Sequence, residues 1–142
     1  MAIKQISISL IGNYSDGRNV GVDDFKRPLS ISKSDQIVKV TVDRGPWANG
    51  VVVFMRGDIR SYASEPDPDE AFEKEIQDVC EYVAGWLAKR TTILHKMISA
   101  RLDLFLLIDM WITQNQMDLD LPPSLLLVCG ESKIKIQLIT ND

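Results

Sequence analysis

The chain has 142 residues, with 16 basic and 20 acidic side chains and a formal net charge of −4 at neutral pH. Its apolar content of 45% and charged content of 25% are those of an ordinary globular protein, which excludes a disordered or fibrous chain. The length suits one domain spanning residues 1–142. The acidic balance argues against nucleic acid as a partner.

The amino-terminal sequence and the cysteine content are informative about the cellular compartment of the protein. No charged start precedes a long apolar run, so we expect no signal peptide. The longest nearly apolar run, Leu102 to Ile112, contains Asp103 and Asp109 and is too short and too charged to span a bilayer. We therefore expect a cytoplasmic protein without membrane contact. With two cysteines and one histidine, we expect no structural zinc site and no cofactor. A disulfide between Cys80 and Cys129 is an alternative to the favoured buried free thiols.

The first strand is predicted at Ile3 to Ile11, where apolar and polar residues alternate. A turn cluster follows at residues 12–17. Residues 20–34 show no clean period and predict a loop, with one helical turn at Val22 to Phe25.

Two further strands are predicted at Ile37 to Asp43 and Val51 to Arg56. Turn signals that include Asn49-Gly50 separate them, and they are expected to form a hairpin.

The strongest helix signal begins at Asp67. This residue suits the cap, Pro68 suits the first helical position, and Glu70 completes a capping box. Apolar residues then recur at helical spacing, which predicts an amphipathic helix over residues 68–88. Helical spacing continues after Lys89-Arg90, and the sequence leaves open whether the helix runs on or breaks there and restarts.

Three elements are predicted in the remainder of the chain. Leu102 to Thr113 is the longest strand, and both of its faces are largely apolar, as in a central strand. Leu121 to Val128 predicts a short helix that Gly130 would end. Lys133 to Thr140 predicts a closing strand. Its inward side chains are expected to be Ile134, Ile136 and Leu138.

The order of these elements is strand, loop, strand, strand, long helix, strand, short helix, strand. It predicts an α+β fold, with a mainly antiparallel sheet of about five strands and one long and one short helix packed on one face.

The second part of the chain carries a recognisable series of segments, "LAKRTTILHKM", "LDLFLLIDMWIT", "QNQMDLDLPPSLL" and "ESKIKIQLITND". Over roughly Arg56 to Asp142, this series resembles the bacterial family catalogued as domain of unknown function 4279. The family's short "L-x-P/S-x-L-L" helix is matched here by "LDLPPSLL" at residues 119–126. The amino-terminal half departs from the family pattern. The resemblance implies no reaction and no catalytic residues, and small acidic domains of this kind look like immunity proteins of bacterial toxin systems.

No residue pattern predicts catalysis. His95 has no carboxylate at its helical neighbours, so a surface histidine is expected. Asp118 and Asp120 lack the spacing of a calcium site and are expected to be solvated loop acids. We therefore expect the protein not to be an enzyme.

Two carboxylates of the longest strand, Asp103 and Asp109, share a strand face with Trp111. A carboxyl group buried beside an aromatic ring has a raised pKa and is able to act as an acid. The simpler expectation is a cross-strand ion pair between Asp109 and Lys133 or Lys135.

Three aromatic residues are candidates for a binding surface. Trp47 lies between turn signals, Tyr62 follows the third strand, and Trp111 ends the longest strand. Exposed aromatics beside arginines are typical of interface hot spots. The nearby arginines are Arg44, Arg56 and Arg60. For each of these aromatics taken alone, capping of a small core is more frequent than a role in an interface.

The first functional hypothesis is a non-enzymatic protein-binding module of the immunity-protein kind. Its exposed acids, Glu65, Asp67 and Asp69, with the aromatics Tyr62 and Trp47, would contact a basic partner protein such as a toxin.

Two alternatives stay open. One is a homo-oligomeric accessory protein that pairs through a sheet edge, at the strand beginning at Ile3 or the one ending at Thr140. The other is a small-ligand binder with a pocket near Asp109, lined by Phe105 and Trp111.

Overall fold

The computed structural model describes residues 3–42, 49–113 and 118–141. Five strands form one sheet in the order β2-β3-β1-β4-β5. They are β1 Ile3–Tyr14, β2 Lys39–Val42, β3 Gly50–Asp58, β4 Leu102–Ile112 and β5 Lys135–Asn141. The helices are α1 Pro68–Ala88, α2 Thr91–Ser99 and α3 Pro123–Glu131, and a 3-10 turn, Ile59–Tyr62, precedes α1. The predicted α+β class is confirmed, with one long helix and two shorter ones.

Strand β1 lies at the centre of the sheet, antiparallel to both β3 and β4. The expectation that the strand beginning at Ile3 lies at a sheet edge is therefore wrong. The predicted hairpin pairing of β2 with β3 is confirmed. Only β4 and β5 pair in parallel, and α3 lies in the crossover that a parallel pair requires. The strand that contains Thr140 is an edge strand, as expected.

Helix α1 begins as the capping pattern predicts. The Asp67 carboxylate accepts a hydrogen bond from the backbone N–H of Glu70 at 3.2 Å, and Pro68 opens the helix. The helix ends at Ala88, and a second helix begins at Thr91, so the helical pattern breaks at Lys89-Arg90 and restarts.

All three helices cover the same face of the sheet, because their buried side chains belong to one core cluster with alternate strand residues. Strand β4 contributes Leu104, Leu106 and Ile108 to that cluster. Strand β4 has β1 and β5 as neighbours, as expected of a central strand, but the helices do not cover its second face, where Trp111 is 51% exposed. Among the described residues, the helices cover one face of the sheet, and we call the other the open face.

The segment between β1 and β2 forms consecutive turns over residues 22–30 and contributes to the core. Val20, Phe25 and Leu29 are buried. Phe25 lies over Gly12 and Gly50, which are paired on β1 and β3. A Cβ atom on Gly50 would lie 2.5 Å from the Phe25 ring, so only glycine allows this ring to pack against the backbone.

Arg90, which follows the end of α1, binds the segment between β1 and β2. Its Nε donates a hydrogen bond to the Leu29 carbonyl at 2.8 Å, and its Nη2 lies 3.5 Å from the Asp35 carboxylate. Its guanidinium stacks 3.8 Å from the centre of the Trp86 ring. Because the Arg90 side chain is largely buried, these interactions are little screened by solvent.

The carboxy-terminal elements differ in detail from expectation. Gly130 lies inside α3 rather than at its end, since the helix continues to Glu131. Leu138 was expected to point into the core, but it is 49% exposed because β5 is an edge strand with a neighbour on one side only. Ile134 is buried as predicted.

Substituting Gly50 with alanine should destabilise the fold by about 1–3 kcal/mol, because the added methyl group forces the Phe25 ring out of its position. The matched control is Gly85→Ala in α1, where an added Cβ meets nothing within 4 Å. That substitution should stabilise the protein by about 0.5–1 kcal/mol through helix propensity. Urea denaturation measures both, and equal effects of the two substitutions would contradict this packing.

Substituting Arg90 with methionine should cost about 2 kcal/mol or more, since it leaves Asp35 and the Leu29 carbonyl without their partner. Arg27→Met is the control, because Arg27 forms an exposed ion pair with Asp23. Its loss should cost below about 1 kcal/mol. Thermal or urea unfolding distinguishes the two, and a similarly small loss at Arg90 would argue against its anchoring role.

Candidate binding surfaces

The open face is defined by the side chains that point away from the helices. Strand pairing places them in rows that run across the sheet. They are Gln5, Ser7, Ser9 and Ile11 on β1, Lys39 and Thr41 on β2, Val51, Val53, Arg56 and Asp58 on β3, Phe105, Leu107, Asp109 and Trp111 on β4, and Lys135, Gln137, Ile139 and Asn141 on β5.

A polar groove lies beside Trp111 at one end of the open face. Arg56, Ser7 and Asp109 form one row across β3, β1 and β4. The small Ser7 side chain forms the floor between two longer side chains, and the groove has a volume of about 320 Å³. Arg56 and Asp109 therefore place opposite charges on either side of the central strand.

Asp109 is held by Asn141 rather than by a lysine. Its Oδ1 accepts a hydrogen bond from Asn141 Nδ2 at 2.7 Å. The predicted ion pair with Lys133 or Lys135 is wrong, because the parallel register sets Asp109 opposite Ile139 on β5. Sequence alternation alone does not determine this register.

Arg56 makes no ion pair with any described residue, and Asp109 makes none either. The Arg56 side chain is exposed and that of Asp109 is half-buried. Both charges are therefore available to a partner.

The charge of Asp58, in the next row, is compensated by Arg60. Its carboxylate accepts hydrogen bonds from Arg60 Nη2 at 2.7 Å and from Gln5 Nε2 at 3.0 Å. The hydrogen bonds from Arg60 hold the pKa of Asp58 well below its usual range. Gln5 also pairs with Trp111 across β1 and β4, so Asp58, Arg60 and Trp111 line one continuous depression.

The centre of the open face is apolar. Val51 and Ile11 share a row with Phe105, and Val53 and Ser9 share the next row with Leu107. Val53 is only 4% exposed and Ser9 only 5%, although both lie outside the core cluster.

A second surface lies on the helical side and is acidic. Between residues 65 and 81 there are eight carboxylates and a single lysine, Lys74. The rest of the chain holds 15 basic and 12 acidic side chains, so the negative charge is concentrated here. All eight acids are exposed. We call them the acidic surface: Glu65, Asp67, Asp69, Glu70, Glu73, Glu75, Asp78 and Glu81.

The acids named from the sequence, Glu65, Asp67 and Asp69, lie together at the start of the acidic surface. Asp67 also caps α1, so part of its hydrogen-bonding capacity is used by the helix. Tyr62 is partly buried, with its ring centre 5.3 Å from that of Phe72, and it caps the core at this position. Burial and the neighbouring carboxylates raise the pKa of Tyr62. Trp47 lies outside the described residues.

A groove between α1 and α3 adjoins the acidic surface. Small residues of α1, among them Gly85 and Ala88, face Leu127 of α3, and the groove has a volume of about 480 Å³. Leu127 is 62% exposed. Glu81 and Glu131 also line the groove, so negative charge lies beside the apolar contact site, and Glu81 accepts a hydrogen bond from the Ser124 hydroxyl. This groove is not predictable from sequence patterns, because it requires α1 and α3 to be neighbours.

The remaining polar candidates form no reactive cluster. Within the part of the chain that the structure describes, no three His, Cys, Asp or Glu side chains are placed to hold a metal ion. His95 is exposed, with Nε2 3.1 Å from the Glu131 carbonyl oxygen. Asp118 and Asp120 are exposed, as predicted for loop acids. Among the residues described, no helix is both long and apolar enough to cross a membrane.

Comparison of the chain with protein-family models, with curated proteins and with solved structures finds no match. The resemblance to domain of unknown function 4279 therefore stays a prediction, and the surfaces described above carry the functional argument.

The two cysteines, Cys80 on α1 and Cys129 on α3, are free and buried, and burial raises the pKa of each thiol to about 11. At pH 8, roughly one thiol in a thousand is then ionised, so a thiol reagent should react with neither until the protein unfolds. The unfolded chain releases these protons from about pH 9, the ordinary thiol value. The thiol contribution to stability is therefore complete below pH 9 and is lost as the pH rises towards 11. Absorbance titration with and without denaturant tests this, and rapid reaction of the folded protein would contradict it.

Proposed function

We propose that this chain is a non-enzymatic protein-binding module of the immunity-protein kind, which binds a basic partner protein through its acidic surface and the adjoining α1–α3 groove. The observation that carries the proposal is the segregation of charge. Eight exposed carboxylates and one lysine lie within residues 65–81, whereas basic side chains predominate in the rest of the chain.

This charge distribution favours fast and specific association. A surface of one sign attracts a partner of opposite sign before contact and orients it during diffusion. Attraction of this kind is screened by salt over about 8–10 Å at physiological ionic strength. The association rate should therefore depend on salt more strongly than the dissociation rate.

The α1–α3 groove supplies the apolar contact that charge alone does not provide. Leu127 is exposed on α3 and lines the groove, and the small side chains of α1 leave room beside it. A partner segment with an apolar side chain flanked by lysine or arginine fits this groove, because Glu81 and Glu131 are among the residues that line it.

A binding role rather than catalysis is supported by the state of the reactive groups. Both thiols are buried with raised pKa values, and His95 has no carboxylate partner among the hydrogen bonds and ion pairs of the described residues. The two thiols are therefore not activated as nucleophiles.

The test is affinity capture of the tagged chain from the lysate of its own host, followed by kinetic measurements on the captured protein. We expect one stoichiometric basic protein whose association rate falls at least about tenfold from low to high salt. The double variant Glu70→Lys/Glu73→Lys should lower the association rate by a similar factor, since both acids are exposed on α1.

The matched control is Asp16→Lys/Asp23→Lys, which changes net charge equally at exposed positions outside the acidic surface. It should leave association nearly unchanged. Salt-independent association, no captured protein, or equal effects of the two double variants would overturn the proposal.

A further inference from the structure

The open face has a property that the acidic surface lacks, because its two sides complement each other across β1. In the row of Ser7, the positive Arg56 lies on β3 and the negative Asp109 lies on β4. In the row of Ser9, Val53 lies on β3 and Leu107 lies on β4. In these two rows, the side chains on β3 and β4 therefore complement each other across the central strand.

We infer that the open face binds a second copy of this chain, with the two sheets packed face to face about a twofold axis that runs along β1. Such a rotation places β4 of one copy over β3 of the other and keeps every row at its own height. The interface is then isologous, with the same residues contributed by both protomers. Packed sheets lie about 10 Å apart, a distance that interdigitated side chains fill.

The positions of the charged side chains favour this arrangement. Arg56 of each copy faces Asp109 of the other, which gives two ion pairs in the dimer from two charges that have no ion-pair partner among the described residues of one chain. Trp111 of each copy faces the Asp58–Arg60 pair of the other, where the exposed guanidinium is able to stack on the indole ring.

The apolar rows and the outer strands are also compatible with this pairing. Val51 faces Phe105. Ser9 lies on the axis and is only 5% exposed, so the larger side chains beside it make the contact between the two sheets. On the outer strands, Lys39 faces Gln137 and no like charges oppose each other among the open-face residues.

The size of the face is adequate for a dimer. Five strands about 4.8 Å apart, with four rows about 6.8 Å apart, cover an area on the order of 600 Å². Two such faces together bury on the order of 1,200 Å², which is the lower limit for a specific stable interface. The acidic surface lies on the helical side, so it stays accessible in both copies of the dimer. The dimer inference therefore does not depend on the proposed function.

Sedimentation velocity of the complete chain over a wide concentration range tests the dimer. We expect a species of twice the chain mass of 16.0 kDa. Arg56→Asp and Asp109→Arg, made singly, should each raise the dimer Kd by about 100-fold or more, because each places like charges opposite each other twice. The double variant Arg56→Asp/Asp109→Arg should restore the wild-type Kd to within about tenfold, since it exchanges the two charges.

Two controls separate the interface from a folding effect. Asn141→Ala removes the hydrogen bond to Asp109 without reversing charge and should remain dimeric. An equimolar mixture of the two single variants should form a heterodimer, because each supplies the charge that the other lacks. A wild-type chain that stays monomeric, a double variant that does not recover, or single variants that dimerise normally would each overturn the inference.

Discussion

Strand β1 divides the molecule into two chemically different sides, because large aliphatic side chains alternate along it with small polar ones. Ile6, Ile8 and Leu10 point to the helices and are buried in the core. Ser7 and Ser9 point the other way. Since β1 pairs with both β3 and β4, its alternation sets which side chains of these neighbours are covered. The core, the open face and the position of the helices all depend on this one strand.

The two candidate surfaces follow from that division and lie on opposite sides of the molecule. Helix α1 and the segment just before it carry the acidic surface on the isoleucine side, while no described helix covers the serine side. If both proposals hold, the dimer presents two acidic surfaces facing outward. A partner with two basic sites would then bind with avidity beyond the affinity of one site.

Helices with a clear start signal were predictable from the sequence, and so was strand alternation. The α1 cap at Asp67 and the burial of Ile134 are local properties of the sequence, and both are confirmed. The partner of Asp109 was not predictable, because it depends on the parallel register between β4 and β5. The burial of Phe25 was missed for a related reason, since it packs on glycines from two strands distant in sequence.

The position of Arg56 depends on one irregularity in the pairing of β1 with β3, and this irregularity changes the charge pattern of the open face. Strict alternation from Val53 would turn Arg56 towards the helices, where its charge would be buried. The register between β1 and β3 shifts between Ile8 and Ser9, which leaves Phe54 as an extra residue on β3. Phe54 and Met55 consequently both join the core, with Phe54 5.2 Å from Trp86 in an edge-to-face contact. The bulge returns Arg56 to the open face in the row of Ser7, opposite Asp109. The same irregularity therefore serves the packing of the core and the charge pattern from which the dimer is inferred.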